Sequence, residues 1–321
     1  MKEKLVNFAR RTSLRQLRAL GAVAGTGGVT AAAAQLALTP PAVAQQLKLL
    51  EEALGGVPLL ERTPSGSRPT EAGREALVAL GRIEAALADC AAAIEALRGM
   101  EGGHVAVGVT STAKYFAPFA LAAYQRANPG VEMRLAVGNR QQVVAALEGF
   151  ELDVAVMGYP PDHFPLERAV LGDHPHVVIA PPGHRLVGRC GIPLADLAGE
   201  TFLLREPGSG TRDLMRRLFG AEGAPGGPRM EIGSNETIKQ AVMAGMGIAL
   251  LSAHTIAAEL RDGRLAVLDV EGLPVVRQWY VVRRAEKRLL PAAQAMWDHL
   301  ARRGAEFLPA LPEEAPRRRR V

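Results

Sequence analysis

The chain has 321 residues, of which 48% are hydrophobic, and a formal net charge of +5. This length provides enough core for two or three domains. The sequence contains only two cysteines, Cys90 and Cys190, which excludes a disulfide-stabilised scaffold and favours a cytoplasmic location. It also lacks an apolar run long enough to span a bilayer.

The positive charge is concentrated at the start of the chain. Residues 1–70 contain nine Lys or Arg and four Glu, a net of +5, so the remainder sums to zero. A basic first domain on a neutral body indicates a polyanionic partner for that domain. A merely solvated basic surface is the alternative to such a partner. Separately, Arg10-Arg11 and the apolar stretch after it resemble a twin-arginine export signal. The export signal is disfavoured, since Arg15, Arg18 and Pro40-Pro41 interrupt the stretch.

The segment 29–62 predicts a helix-turn-helix, in which two short helices meet at a tight turn. The first helix is rich in alanine, so a second helix can cross it closely. Thr39 is a good N-cap for the second helix, and prolines occupy its first two positions, where an N–H has no intrahelical partner. Apolar residues then recur at spacings of 4, 3 and 4 and form one stripe: Val43, Leu47, Leu50 and Leu54.

The opposite face of this second helix is short or polar and is free to contact a partner. A recognition helix presents such a face to the DNA major groove. We therefore expect DNA contacts from this face, namely from Thr39, Pro40, Ala42, Gln45, Gln46 and Lys48.

One long helix is predicted over residues 71–98. Its apolar positions alternate at spacings of 4 and 3, which is a heptad pattern, and they predict a dimerisation seam. The residues expected on this seam are Leu80, Ile83, Leu87, Cys90, Ile94 and Leu97. Cys90 is interpreted as a small hydrophobic residue rather than a redox thiol, because Cys190 belongs to another domain. Glycines at 99, 102 and 103 mark a domain boundary.

Strand and helix patterns alternate from His104 onward. Strands are predicted at 104–109, 131–137, 152–157, 176–180, 201–204, 230–232, 248–251 and 279–282, and helices at 118–126, 141–148, 212–219, 238–244 and 291–302. Such repeats imply parallel sheets with helices on both faces. Two subdomains joined by crossing segments near 158–166 and 266–276 would form a hinged cleft.

Four strand-to-helix loops carry small, hydroxyl or amide residues at the edge where parallel sheets bind ligands. The residues expected to bind an anionic ligand there are Ser111, Thr112, Asn139, Arg205, Gly208, Ser209, Thr211, Ser234, Asn235 and Glu236. Arg205 and Arg212 would add bidentate charge. The alternative remains that Ser234, Asn235 and Thr211 only cap their helices.

The ordered motifs of this chain resemble those of LysR-type transcriptional regulators from about residue 14 to residue 300. They are Leu14–Leu20, Ala32-Ala33 with Leu36, Pro41-Ala42-Val43, Leu50-Glu51, Pro58–Arg62 and Thr70–Gly73. The resemblance implies an α/β fold with an N-terminal all-α winged helix-turn-helix over 1–70 and a linker or dimerisation helix over 71–100. In that family the segment 63–69 is the wing, and its flanking Arg62 and Arg68 would contact DNA phosphates.

The same resemblance implies an effector domain of two Rossmann-like subdomains, similar to periplasmic binding proteins, over 101–305. Subdomain I would comprise about 101–160 and 272–305, subdomain II about 161–271, and a disordered basic tail 306–321. The stretches 111–118, 205–212 and 233–242 resemble the Calvin-cycle branch, whose members regulate RuBisCO and other carbon-fixation operons. This implies a phosphorylated effector, such as ribulose bisphosphate or phosphoenolpyruvate, or NADPH, and no other cofactor.

The partners implied by the resemblance are double-stranded promoter DNA, a second copy of the chain in a dimer or tetramer, and RNA polymerase. A cytoplasmic, nucleoid-associated protein without a membrane partner is expected. Two departures leave the operator sequence open. The family usually has Gln at the position of Pro40, and Ser and a basic residue at Ala44 and Gln45.

Enzyme motifs find no match in the sequence. The seven histidines show no metal-ligand spacing, and neither a G-x-S-x-G elbow nor a G-x-x-x-x-G-K loop occurs. We therefore expect a protein that is not an enzyme. One alternative is a LysR-type regulator of another metabolic operon. The other is a solute-binding protein, which would share the cleft. Residues 29–98 distinguish the two, because solute binding requires neither a helix-turn-helix nor a heptad helix.

Overall fold

The computed structural model describes residues 11–64, 66–97, 102–220 and 229–311. The chain forms two compact units, one of residues up to 97 with 149–151 and one of the remaining residues. None of the helices in the described ranges combines the length and apolarity that crossing a bilayer requires.

Three helices form the core of the first unit: α1 (Leu14–Thr26), α2 (Val29–Gln35) and α3 (Pro40–Ala53). Ser13 and Gln16 form a reciprocal capping box at the start of α1. The stripe predicted on α3 is confirmed, because Val43 and Leu50 are fully buried. Small residues of α2, such as Ala32, are also fully buried, so the two helices cross closely as expected.

A hairpin and a long helix complete this unit. Strands β1 (Leu60–Thr63) and β2 (Gly66–Pro69) pair antiparallel, so the wing is a two-stranded hairpin inside a domain that was expected to be all-α. The turn-forming residues between two short extended segments explain why the sequence predicted only a loop. Helix α4 (Glu71–Leu97) follows, and its Leu80 packs into the core of the unit.

The second unit is built on a seven-stranded sheet. Its order is β10 (Ala266–Leu268), β6 (Leu166–Ala180), β11 (Val275–Arg284), β5 (Val154–Met157), β3 (Gly103–Thr110) and β4 (Val131–Gly138), and β9 (Ala249–Ser252) also pairs with β6. The first half of this unit contains the parallel strands β3, β4 and β5, with the helices α5 (Ala117–Ala127) and α6 (Arg140–Glu148) between them. Alternate residues of β3 face opposite sides. Val107 therefore packs in the cluster of α5, whereas Ala106 packs in the cluster of α6.

Two long antiparallel strands, β6 (Leu166–Ala180) and β11 (Val275–Arg284), cross between the halves of this unit. Residues 177–180 of β6 continue past β11, and the end of β6 from His176 onward pairs with β9 (Ala249–Ser252) and β10 (Ala266–Leu268). The sequence predicted only a short strand at 176–180 and a crossing near 158–166. Gly172 and Pro175 are residues that usually interrupt a strand, which is why the longer strand was not predicted. In the structure the strand continues through them with a β-bulge: the register shifts opposite Trp279 and Tyr280, and Leu171 is the extra residue.

The second half contains parallel strands β7 (Phe202–Arg205) and β8 (Arg229–Ile232). Its helices are α7 (Gly210–Phe219), α8 (Asn235–Met243) and α9 (Ala257–Arg261). Leu204 and α7 lie in one buried cluster, and Leu203 and α8 lie in another, so the strands are covered on both faces.

The chain returns to the first half through α10 (Pro291–Arg303). Phe307 and Leu308 then pack against the cluster that contains α10, and Leu311 packs in the second half. The expectation of a disordered tail from residue 306 is therefore wrong for 306–311, because these apolar side chains dock on the core. The basic run 317–320 lies outside the described residues.

A buried ion pair joins the end of β11 to the start of β5. The Lys287 Nζ atom lies 2.8 Å from Asp153 Oδ1, while Asp153 Oδ2 accepts the Ala106 N–H at 2.7 Å. Lys287→Met leaves the carboxylate without its cation and is expected to lower the free energy of unfolding by about 3–5 kcal/mol.

Urea unfolding followed by tryptophan fluorescence tests this prediction, since Trp279 and Trp297 both belong to the second unit. Arg303→Gln is the control, because it breaks an exposed pair with Glu306 and should leave the midpoint unchanged. An equal decrease of the urea midpoint in Lys287→Met and Arg303→Gln would contradict the stabilising role assigned to Lys287.

Candidate functional site

Helix α3 presents an outer face opposite its buried stripe. Thr39, Pro40, Gln45 and Lys48 are exposed, and Ala42 and Gln46 are half-buried. Thr39 occupies the N-cap position, but its side chain makes no capping hydrogen bond, in contrast to the expectation of a good cap. Pro41 has no N–H to donate at the second helical position, and the Ala42 N–H at the third makes no bond to this hydroxyl. The Thr39 hydroxyl therefore remains available to a partner.

The hairpin adds two exposed cations to the first unit. Arg62 pairs in register with Ser67, and Arg68 pairs with Glu61. Lys48 on α3 is 3.9 Å from Glu52, a loose exposed pair that contributes little. Helix and hairpin thus supply polar and basic groups of the kind that contact bases and phosphates.

Helix α4 carries the predicted dimerisation seam. Ile83, Leu87 and Ile94 are 39%, 50% and 46% exposed, an apolar stripe that this unit does not cover. Cys90 is exposed as well. Leu80 differs from the expectation, because it is buried in the unit's own core. The side chain of Leu97 lies outside the described part.

A small pocket lies in the second unit, where its two halves meet. Hydroxyl groups, arginines and histidines line it: Thr110, Ser111, Thr112, Ser209, Thr211, Arg140, Arg277, His174 and His176, together with Gly158, Tyr159 and Gly210. Its volume is about 30 Å³. Ser111 and Thr112 follow β3, whereas Ser209 and Thr211 surround the start of α7, so both halves contribute.

Three guanidinium groups surround the Tyr159 ring. Those of Arg140, Arg217 and Arg277 lie 4.6, 4.5 and 5.1 Å from its centroid. Arg140 Nε donates to the Tyr159 carbonyl at 2.8 Å, and Arg277 Nη1 donates to the Gly210 carbonyl at 3.3 Å. Within the described ranges, no carboxylate lies within 4 Å of these arginines.

Burial, and next the charge of Arg217, lower the pKa of Arg277 to about 10. Burial is the main cause, and Tyr159 and Asp213 oppose the change only in part. Three arginines nevertheless concentrate positive charge at this point. Helix α7 adds to it, because its free N–H groups at Gly210 and Thr211 form the positive end of the helix dipole. The pocket is therefore suited to an anion.

The guanidinium group of Arg205 is hydrogen-bonded to neighbouring side chains and does not line the pocket. Its Nε and Nη2 atoms contact the two Glu206 oxygens at 2.7 and 2.8 Å, and its Nη1 donates to Asn235. Nη2 also contacts Ser111 at 3.2 Å. Arg205, which was expected to bind the ligand, therefore has its charge balanced by Glu206. Arg212 donates to the Arg205 carbonyl at 2.7 Å and to Glu231.

The remaining predicted ligand residues lie beside the pocket and do not line it. Ser234 accepts the Thr237 N–H at 3.4 Å, so it caps α8 as the alternative interpretation proposed. Glu236 pairs with Lys239 at 2.9 Å and accepts the Tyr115 hydroxyl at 3.3 Å.

Asn139 and Gly208 form part of a bridge between the two halves. Asn139 Nδ2 lies 3.4 Å from Glu206, and the Gly208 carbonyl accepts the Gln141 N–H at 3.1 Å. The structure thus brings Ser111, Thr112, Ser209 and Thr211 together at the pocket. Asn139 and Gly208 do not line the pocket themselves, but hydrogen bonds between their loops connect the two halves.

Sequence reasoning missed Arg140, Tyr159 and Arg277. Arg140 follows the predicted Asn139, a signal that was available. Arg277 lies within β11, and its position becomes apparent only from the pairing of that strand.

Three buried histidines lie near the pocket, and two of them, His174 and His254, contact Trp279. The His174 ring stacks on Trp279 with 3.7 Å between centroids, and His254 Nδ1 accepts the Trp279 Nε1–H at 2.9 Å. Burial lowers the pKa of His176 to about 3 and that of His254 to about 4, and it lowers the pKa of His174 as well. In the part of the chain that the structure describes, no His, Cys, Asp and Glu cluster is arranged to hold a metal.

Comparison with known proteins connects the two units to one family. Residues 14–74 match the model of the bacterial regulatory helix-turn-helix protein, lysR family, and residues 98–305 match the LysR substrate binding domain. The chain belongs to the LysR family of transcriptional regulators. This family membership overturns the solute-binding alternative, because the matched helix-turn-helix is that of a DNA-binding regulator.

Similar members of the LysR family share nearly the whole chain. The HTH-type transcriptional regulator CbbR of Xanthobacter flavus is 55% identical over 307 residues, which cover 95% of this chain and 92% of that protein. The RuBisCO operon transcriptional regulator of Allochromatium vinosum is 43% identical, covering 92% and 97%.

A solved structure of a regulatory domain has the same fold as part of this chain. The CcmR regulatory domain of Synechocystis PCC6803, in complex with 2-PG, is 37% identical with a TM-score of 0.60. The match covers 65% of this chain and 100% of that domain.

The outer face of α3 generates a prediction about DNA binding by this LysR-family chain. Lys48→Ala is expected to weaken operator binding and to reduce the salt dependence by about one phosphate contact. Thr39→Ala is also expected to weaken binding, without loss of stability, because its hydroxyl caps nothing. Gln46→Ala should do the same through lost base contacts.

Fluorescence anisotropy on the upstream intergenic DNA, at several salt concentrations, measures these effects. The control is Arg126→Ala, which removes one exposed cation from the second unit. Operator affinity that stays at the wild-type value in all three α3 variants would refute the recognition-helix assignment.

The depressed histidine pKa values generate a prediction about pH. The unfolded state binds more protons than the folded state below about pH 6.5, so stability falls as the pH decreases through that value. At pH 5.5 each such histidine is expected to cost about 1.4 kcal/mol relative to pH 7.5.

Urea midpoints at pH 7.5 and 5.5 test this. His254→Gln, which keeps an acceptor for the Trp279 N–H, should flatten the pH dependence, whereas the exposed His163→Gln should not. If the difference between the two urea midpoints is the same in His254→Gln as in the wild type, His254 is not a neutral buried histidine that destabilises the protein on protonation.

Proposed function

We propose that this LysR-family chain regulates the transcription of RuBisCO and other carbon-fixation genes, and that a small phosphorylated effector controls it. The target genes are supported by relatives that bear the names CbbR and RuBisCO operon transcriptional regulator over more than nine-tenths of the chain. A domain of the same fold, CcmR, was solved with 2-PG.

The single observation that carries the effector class is the cluster of arginines at the pocket. Arg140 and Arg277 reach it without a carboxylate partner among the described residues, whereas Arg205 is paired with Glu206. Guanidinium groups, hydroxyls and a helix N-terminus together form the usual environment of a phosphoryl group. The space of about 30 Å³ accommodates two or three oxygen-sized groups.

The effector would act by stabilising one arrangement of the two halves. Ser111 and Arg140 come from the first half, and Ser209 and Thr211 come from the second, so one phosphoryl group would contact both. Bonds such as Gln141 to Gly208 already connect the halves. Bound ligand shifts the equilibrium only as far as its affinity for the two arrangements differs.

Assembly is the second part of the proposal. The exposed apolar stripe of α4 would pair with a second copy, giving a dimer that places two α3 helices on two half-sites. Dimers would associate into a tetramer on promoter DNA, where RNA polymerase is the further partner. The effector is the only small molecule that the proposal requires, and no catalytic step is part of it.

Arg277→Gln tests the effector site. It removes the more buried guanidinium of the pocket, so the effector concentration that changes operator binding is expected to rise at least tenfold. Anisotropy on carbon-fixation promoter DNA, with phosphorylated intermediates added in turn, measures this response. Operator affinity without effector should not change.

Arg189→Gln is the matched control, because that arginine is exposed and paired with Asp196 away from the pocket. A wild-type effector response in Arg277→Gln would remove the pocket from the proposal. Selective binding to the promoter of another metabolic operon, but not to carbon-fixation promoters, would favour the alternative target.

A further inference from the structure

His174 differs from the other pocket residues because its imidazole has no partner in the protein. The side chain is 3% exposed, and neither Nδ1 nor Nε2 makes a hydrogen bond to any described residue. The neighbouring His176 differs, since its Nδ1 contacts the His174 carbonyl at 3.1 Å. His254 is occupied by Trp279.

The surrounding structure nevertheless fixes the His174 ring in place. It stacks on Trp279, and a Cβ at position 158 would approach within 2.3 Å of His174 Nδ1, so the chain needs Gly158 there. A buried polar group without a partner is costly, and a phenylalanine would fill the same stack without that cost. The position is therefore better explained by a partner that enters the pocket.

We propose that His174 is a neutral ligand of the effector's phosphoryl group and donates a ring N–H to one of its oxygens beside Arg277. This inference rests on the proposed function. His174 and Arg277 are directly opposite in the β6–β11 register, and both line the pocket. A neutral imidazole offers one N–H donor and adds no charge to a site that two arginines already make positive.

The small size of the pocket supports a direct contact. The space of about 30 Å³ lies between the hydroxyl groups, the arginines and the two histidines. A group that fills this space with two or three oxygens would lie against several of these side chains at once. Burial lowers the pKa of His174, which keeps the ring neutral and therefore able to donate from one nitrogen only.

The experiment uses the full-length chain and inorganic phosphate as the probe. Trp297→Phe leaves Trp279 as the single tryptophan, and its emission reports on the stacked His174 ring. Phosphate is titrated against potassium chloride of equal ionic strength. A saturable change in emission is expected with phosphate alone, and Arg277→Gln should abolish it.

His174→Phe in this background keeps a ring on Trp279 but removes both nitrogens. The apparent Kd for phosphate is expected to rise at least tenfold, while the thermal midpoint stays equal or increases. His174→Gln retains an N–H donor and should recover part of the affinity. A purely packing role would give the opposite order, with Phe tolerated and Gln harmful.

Phosphate binding by His174→Phe with the wild-type Kd would overturn the inference and leave the proposed function intact. Absence of any specific phosphate response in the Trp297→Phe protein would overturn both. If His174→Phe does not fold, His174→Leu gives the same comparison, because it also lacks a donor.

Discussion

The antiparallel pairing of β6 with β11 is the constraint on which the second unit depends. It joins the parallel strands of one half to β9 and β10 of the other, so both halves share one continuous sheet. Its register also places His174 opposite Arg277. A slip of one residue between the two strands would place these two side chains on opposite faces of the sheet. The charged lining of the pocket is thus partly a property of strand pairing rather than of loops alone.

Two arginines near the pocket, the buried Arg205 and the half-buried Arg277, illustrate how charge compensation separates structural from ligand-binding roles. Arg205 is balanced by Glu206 and bonded to Asn235, so its charge contributes to holding loops of both halves in place. Arg277 is flanked by two further arginines and by a tyrosine ring. An incoming anion therefore gains little electrostatic stabilisation from Arg205 and much from Arg277, although both side chains carry a guanidinium group.

Local sequence patterns predicted the parts of the molecule that local interactions determine. The stripe of Val43 and Leu50 follows from the period of one helix, and strand–helix alternation placed Ser111 and Ser209 at converging loops. Arg277 was missed because its position depends on a strand pairing with residues about a hundred positions earlier in the chain. Arg205 was found, but its contacts were not, because they depend on how the adjacent Glu206 side chain folds back.

The two proline residues that begin α3 have a consequence for how the first unit holds a duplex. Helix starts usually grip phosphates with main-chain amides, as α7 is able to do from Gly210 onward. In α3 the first two amides are missing, and only that of Ala42 remains in the first three positions. The backbone at the start of this helix therefore offers few N–H donors to the DNA phosphates. Its docking angle in the groove must be set by side chains and by the arginines of the hairpin.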